Sequence, residues 1–342
     1  RIVLAAFLPA LAYYLALFLM VDFEAAKTGL RGVPRTELPD AKKLMRQGWQ
    51  FLLALATLLV LLIGYQYSPE MSALYATGVL IATSFFNKKS RLTLDKFLLG
   101  LKNTAIVMLM MATVCAIAGI IIGCVQLTGL SYRLSTGLIG LSGGNVWVLL
   151  VLTAITALIL GMGMTTSAVY LILAVLVAPA LVQMGFTPLA AHFFIFYYGV
   201  AALITPPVCP ASYVAAGIAG ASPMRTGLSA TRLAVVTFIA PFIFIFHPAL
   251  LMEGPATSIL FIVVTTFLAT VALAAALAGY VFGNLNIWWR ILFLISSLLI
   301  IFPETITTIV SGSVIVAALA LRFFLSQRSS KKAAMAGANN PK

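Results

Sequence analysis

Apolar residues in this chain come in long runs without a regular polar face, which is the pattern of helices solvated by lipid rather than of amphipathic surface helices. In order, the runs cover residues 2–21, 49–65, 71–86, 97–125, 146–182, 191–217, 233–252, 256–282, 291–302 and 305–324. A helix of about 20 such residues crosses a hydrocarbon core roughly 30 Å thick. The pattern therefore predicts an all-α polytopic membrane protein. Polar segments separate the runs. Residues 22–47 carry Lys27, Arg31, Arg35, Lys42, Lys43 and Arg46, and the next basic loop holds Lys88, Lys89, Arg91 and Lys96. Arg225 and Arg232 mark a further loop, and residues 284–290 form a short one with an interfacial Trp288-Trp289 pair. Residues 127–145, rich in Gly, Ser and Thr with Arg133 as their single charge, suit an interfacial arm or linker. The basic tail, 326–342, reads as disordered.

Two runs are interrupted in a way that spanning a membrane does not require. Residues 146–183 contain the patch Gly161-Met162-Gly163-Met164-Thr165-Thr166-Ser167-Ala168 at their middle. Two full crossings would need about 40 apolar residues, whereas each arm has about 15 and reaches roughly 22 Å. That length predicts a re-entrant hairpin. Residues 191–217 are broken by Thr205-Pro206-Pro207-Val208-Cys209-Pro210. Two such breaks in neighbouring segments are the sequence signature of a transporter's binding site.

Composition agrees with the pattern: 62% of the residues are hydrophobic and 8% charged. The net charge of +13 does not point to nucleic acid, because the basic residues sit in the gaps between apolar runs, as in cytoplasmic loops. When the runs are threaded as single crossings and 146–183 as a hairpin, all of the 21 Lys and Arg except Arg1 and Arg133 fall on one face. That face is expected to be cytoplasmic, with the C-terminus on it, and the hairpin to open from the other side. Cys115, Cys124 and Cys209 lie inside apolar runs with no CxxC pair and read as small buried residues.

The breaks themselves suggest the chemistry. At the hairpin tip the first arm leaves carbonyls, and the second arm N–H groups, without helical partners. Carbonyls suit a small cation and the positive helix end suits an anion. Gly161 and Gly163 permit unusual backbone angles, and Thr165, Thr166 and Ser167 add neutral hydroxyl oxygens. In the second break, Pro206, Pro207 and Pro210 free the carbonyls of Ala202, Leu203 and Pro206, and Thr205 contributes a hydroxyl. The candidate Na⁺ ligands are Gly161, Gly163, Thr165, Thr166, Thr205, Pro206 and Val208. The candidate substrate contacts are Thr166, Ser167 and Pro207. No catalytic residue is assigned, no metal beyond Na⁺ and no cofactor.

Other chemistries find little support. No acidic residue lies mid-span, which disfavours a carboxylate proton pump. The chain has no phosphate loop of the GxxxxGK type, and no base accompanies Ser167 for hydrolysis. His192 and His247 read as interfacial or packing residues rather than proton relays.

The patch Gly161-Met162-Gly163-Met164-Thr165-Thr166-Ser167-Ala168-Val169-Tyr170 resembles a signature of the fused permeases of tripartite ATP-independent periplasmic (TRAP) transporters of TAXI type. Ala191-His192-Phe193-Phe194-Ile195-Phe196-Tyr197-Tyr198-Gly199, Ile204-Thr205-Pro206-Pro207-Val208 and Ala215-Ala216-Gly217-Ile218-Ala219-Gly220 follow in the family's order and spacing. Thr165 stands where the pattern often has Pro, and Ser167 where it has Thr. The resemblance implies an elevator-type fold in which one re-entrant hairpin and one broken helix form the second inverted repeat, the chain being a C-terminal part whose first repeat precedes Arg1. It implies a secondary symporter, not an enzyme, in the bacterial inner membrane. The resemblance further implies an organic anion as substrate, a carboxylate or an amino acid, delivered by a periplasmic TAXI-type binding protein, with Na⁺ or H⁺ as coupling ion. The mobile part is expected at 146–217, between scaffold helices at 1–126 and C-terminal helices at 218–325, the run at 233–252 also counting as scaffold.

Overall fold

The structure, a computed structural model, describes residues 2–30, 32, 34, 36–38, 40–86, 92–162 and 164–338. These residues form helices and turns, with one isolated β-bridge between Tyr280 and Asn284. Among the described residues, four helical stretches are long and apolar enough to cross a membrane: Ile2–Thr28, Pro223–Phe246, Ala256–Ala278 and Thr305–Gln327. The protein is an all-α polytopic membrane protein, as the hydrophobic pattern predicts.

The chain divides into two units. The smaller, residues 31–114, contains α2 (Ala41–Leu59), a π-helical turn (Val60–Gly64) and α3 (Pro69–Ser84). Asp40 starts α2 by accepting the Lys42 amide at 2.9 Å, and Ser68 caps α3 ahead of Pro69, whose missing N–H costs nothing in the first turn. The helix α4 (Leu94–Thr128) begins in this unit and ends in the other.

The larger unit, residues 1–30 and 115–342, holds α1 (Ile2–Thr28), α5 (Leu130–Leu141), α6 (Val146–Gly161), α7 (Thr166–Leu176), α8 (Ala178–Gln183), α9 (Pro188–Ala201), α10 (Pro210–Ala219), α11 (Pro223–Leu233), α12 (Val235–Phe246), α13 (Ala256–Ala278), α14 (Ile287–Leu299) and α15 (Thr305–Ala338). Several expectations need correcting. Within residues 127–145, expected as an interfacial arm or linker, Gly129 at φ +64° turns the chain into helix α5, which packs against the hairpin through the partly buried Leu138 and Ile139. The loop expected around Arg225 and Arg232 is helix α11. Trp288, Trp289 and Arg290 belong to α14, which Asn286 caps through the Trp289 amide at 3.1 Å. The last helix continues to Ala338 where a disordered tail was expected from Ser326. Cys209 is buried, but Cys124 is exposed, and the side chain of Cys115 lies outside the described residues.

Two layers mark opposite ends of α13. At its C-terminus, before Gly279 at φ +72°, three successive carbonyls each accept a hydrogen bond from a cationic side chain. Arg290 Nε donates to Ala276 at 2.8 Å, Arg232 Nη2 to Leu277 at 2.9 Å and Lys27 Nζ to Ala278 at 2.9 Å. These cations answer both the unpaired carbonyls and the negative end of the helix dipole. Arg232 also pairs with Glu24 at 3.4 Å, and Arg322 reaches the Asn284 carbonyl at 3.0 Å while stacking over Trp289. Four basic residues that charge sorting assigns to one face thus meet in one layer. At the other end, Trp147 packs against Phe246 and Phe302, with ring centroids 4.6 and 5.2 Å away, and Phe186 joins Phe246. Thr187 Oγ1 donates to Glu253 at 3.0 Å. Trp147 and Phe186 flank the start of α6 and the end of α8, so the chain leaves the layer at Trp147 and returns to it at Phe186. The hairpin's mouth is here, away from the basic layer.

Candidate cation site at the hairpin tip

The hairpin tip is built by three sequence features. The helix α6 ends at Gly161, the amide of Met162 turning back to Ile159 at 3.2 Å. Thr165 then caps α7, accepting the Ala168 amide at 3.4 Å. Pro179 divides the second arm into α7 and α8, since proline cannot continue the ladder. The arms bury Leu149, Leu150, Ala154, Ala157, Val169 and Leu173 together with Phe193, Phe194 and Tyr198 of α9.

The tip meets the second break at its glycines. A Cβ on Gly161 would lie 2.7 Å from the Ala202 Cβ and 2.8 Å from the Gly199 carbonyl oxygen. A Cβ on Gly199 would lie 3.1 Å from Val169 Cγ1. The two arms of the hairpin therefore close on one point of α9. Gly161 is helical, so the reason for its glycine is close approach and not unusual backbone angles, which corrects the sequence expectation. Gly163 lies outside the described residues.

Carbonyl accounting refines the second break. After Ala201 the chain turns through residues 202–209, with a cis bond between Pro206 and Pro207, before α10 begins at Pro210. The Leu203 amide, which would close a helical turn on Gly199, donates to Val200 at 3.0 Å, leaving the Gly199 carbonyl beside the hairpin tip. Two of the carbonyls expected to be free are engaged: Ala202 accepts the Thr205 amide at 3.4 Å and Leu203 accepts the Ala211 amide at 3.2 Å. Ile204 accepts two hydroxyls, from Ser212 at 3.5 Å and Thr231 at 3.2 Å. Thr205 Oγ1 donates to Ala201 at 2.7 Å, so its oxygen retains lone pairs for a cation. Cys209, buried at φ +27°, and Pro206 pack against Gly227 of α11, where a Cβ would come within 2.8 Å of the Cys209 sulfur.

Of the candidates, the structure sets Gly161 against the second break. Thr166, Thr205 and Pro206 are half-buried, whereas Thr165, Ser167, Pro207 and Val208 are exposed. Among the described residues, no hydrogen bond joins the hydroxyls of Thr165–Ser167 to the break at 205–208. Sequence reasoning missed Gly199 as a contact, and missed Ser212, Gly227 and Thr231 altogether. Gly199 ends the aromatic motif and was the available signal. The other three act across helices, which no local pattern encodes. His192 Nδ1 and Tyr170 Oη are hydrogen-bonded at 3.0 Å, tying α7 to α9.

The hairpin is thus pressed by its tip onto the start of the break in the neighbouring helix, and comparison with known families supplies the class of protein. The model for the tripartite ATP-independent periplasmic transporter, DctM component, matches residues 1–259. The chain belongs to this family. No curated protein and no solved structure matches it. The match runs from α1 through the hairpin, the broken helix and α12 to the first residues of α13. The chain is thus a permease component of a TRAP transporter, a family that works with a periplasmic substrate-binding protein.

Proposed function

We propose that this permease is of TAXI type and uses the Na⁺ gradient across the bacterial inner membrane to move an organic anion, a carboxylate or an amino acid. The observation that carries this reading is the contact of Gly161 with Gly199 and Ala202. It brings the carbonyl end of α6 and the freed Gly199 carbonyl onto the break that holds Thr205. A Na⁺ ion takes neutral oxygen ligands of this kind, and half-helix ends are where such transporters supply them. The ligand set we propose is Gly161, Gly163, Thr165, Thr166, Thr205, Pro206 and Val208, with Gly199 added. The start of α7, at Thr166 and Ser167, together with Pro207, faces the substrate, where the positive helix end favours a carboxylate.

In this reading the hairpin and broken helix form the mobile part of an elevator. The helix α12 belongs with them, because Ile243, Phe244 and Ile245 share their core and Tyr198 donates to the Phe238 carbonyl. This departs from the sequence expectation, which placed that segment in the scaffold. The basic layer is cytoplasmic by the positive-inside rule, as is the C-terminus, and the hairpin opens to the periplasm. A second reading, proton coupling, is favoured by the Tyr170–His192 pair between hairpin and α9.

The test is uptake into liposomes containing the permease, with its binding protein and a panel of radiolabelled dicarboxylates and amino acids. Uptake should follow an imposed Na⁺ gradient, and Thr166→Val and Thr205→Val should each raise the Na⁺ concentration for half-maximal uptake about tenfold, as expected for losing a ligand worth about 1.4 kcal/mol. Uptake that follows a pH gradient instead would select the proton reading. Unchanged Na⁺ dependence in both variants, with normal insertion, would remove the site assignment.

A further inference from the structure

The helix α11 carries residues that the cation reading does not use, and they converge on one peptide of the break. The single Thr231 Oγ1 proton is shared between the Ile204 carbonyl at 3.2 Å and the carbonyl of its own helix at Gly227, 2.9 Å away. From α10, Ser212, only 2% exposed, donates to the same Ile204 carbonyl. One helical turn before Thr231, Gly227 is buried against Cys209 and Pro206, with no room for a Cβ. The next residue, Arg232, is fixed to the Leu277 carbonyl and to Glu24. The wall that touches the break is therefore anchored to the end of α13.

We propose that Thr231 is a positioning residue of the cation site, acting through the Ile204–Thr205 peptide; this rests on the cation reading above. A peptide unit is planar, so fixing the Ile204 carbonyl oxygen also fixes the Thr205 nitrogen and, through it, the Thr205 Cα that bears the ligand hydroxyl. The Thr205 amide is only weakly held, at 3.4 Å from Ala202, and Ser212 stands 3.5 Å from the Ile204 oxygen, so Thr231 at 3.2 Å makes the shortest of these three polar contacts on the plane. The two prolines that follow donate no N–H and cannot help. Thr231 never touches the ion in this arrangement. It sets where Thr205 stands before the ion arrives, which is what a preorganised site requires.

The experiment is a Na⁺ titration of the thermal unfolding midpoint of the purified permease, with K⁺ replacing Na⁺ to hold ionic strength constant. A ligand that binds the folded state raises the midpoint with a concentration dependence set by its affinity. The wild type should be stabilised by Na⁺ and not by K⁺. Thr231→Val, which keeps the shape and removes the donor, should raise the half-saturating Na⁺ concentration about fivefold, the effect of one net hydrogen bond. Thr231→Ser should stay within about twofold of the wild type, and in K⁺ alone all three should unfold at similar temperatures. A wild type that Na⁺ does not stabilise would overturn the cation reading and this inference with it. A wild type that responds, beside a Thr231→Val variant with the same half-saturation, would overturn the role of Thr231 alone. Should Thr231→Val fail to fold, Ser212→Ala is judged by the same criterion, since it removes the partner donor on Ile204.

Discussion

Two helix C-termini in the larger unit face the same problem and solve it differently. Both α13 and α9 end inside the protein with carbonyls that no helical N–H can reach. At α13, Arg290, Arg232 and Lys27 each bring a cation to one carbonyl, and the positive charge is covalently part of the molecule. At α9, the carbonyls of residues 201–204 are met by amides and hydroxyls, and Gly199 faces the hairpin tip. Among the described residues, no charged side chain takes part. A helix end capped by resident cations is finished, whereas one lined with neutral oxygens leaves its negative potential for a cation that can come and go. On the proposed cation reading, the choice between Arg or Lys and Thr or Ser is what separates a structural helix end from a transporting one.

The comparison can be broken most severely at Gly161. Gly161→Val places side-chain atoms where the Ala202 Cβ and the Gly199 oxygen already stand, and overpacking of this kind should cost about 3 kcal/mol. The thermal midpoint in detergent should fall, and stabilisation by Na⁺ should disappear with it. A variant that is destabilised yet keeps the wild-type Na⁺ response would dissociate the glycine contact from the ion. The next effect in size is at the other helix end. Arg290→Met keeps an apolar stem but withdraws the donor from the Ala276 carbonyl, for a loss of about 1.5 kcal/mol. The Na⁺ half-saturation should not move, because this end of the molecule carries its own charge. Any shift would show that the two helix ends are coupled.

The smallest effect concerns a third carbonyl, that of Phe302, which is held by a neutral donor. His247 lies just beyond the end of α12 and donates from Nε2 to Phe302 at 3.1 Å. Burial pushes its imidazole below the ordinary value of 6.5, with the hydrogen bonds to the Phe302 and Ile300 carbonyls acting the other way. Below pH 6.5 the unfolded chain takes up this proton before the folded one does. The contribution is therefore fully present above pH 6.5 and is lost as pH falls through the lowered folded value. The midpoint of the wild type should decline gently over that window, and His247→Gln should flatten the slope without altering Na⁺ affinity.

Much of the hairpin was legible in the sequence because its boundaries are local. Gly161 and Thr166 end and begin helices for reasons of capping and small size, and arm length follows by counting residues. The basic layer was legible as well, since Lys27, Arg232, Arg290 and Arg322 sort to one face by threading alone. What escaped is whatever depends on side chains brought from elsewhere. Which carbonyls of the break remain free is decided by Ser212 and Thr231, eight and 27 residues beyond Ile204. The helix α11 read as a loop because Arg225, Arg232 and its small polar residues dilute its hydropathy. Their purpose is visible only once Gly227 is seen against Cys209. Gly161 itself was noticed for its backbone freedom, when its value lies in the hydrogen atom that lets two chain segments touch.

One feature of the fold bears on the surrounding lipid. The helix α14 has 13 residues, about 20 Å of rise, and it connects Arg290 in the basic layer to the Phe302 end near the hairpin mouth. A typical hydrocarbon core is roughly 30 Å thick. Acyl chains lying along its outward residues, Ile291, Leu294 and Ile295, therefore meet an apolar wall shorter than their own leaflet pair. A segment this short is matched by local thinning of the bilayer, by snorkelling of flanking residues or by association with a partner, each at a cost of a fraction of a kcal/mol per ångström. Bilayer thickness thus becomes a variable of this permease's energetics, imposed on one flank by a single short helix.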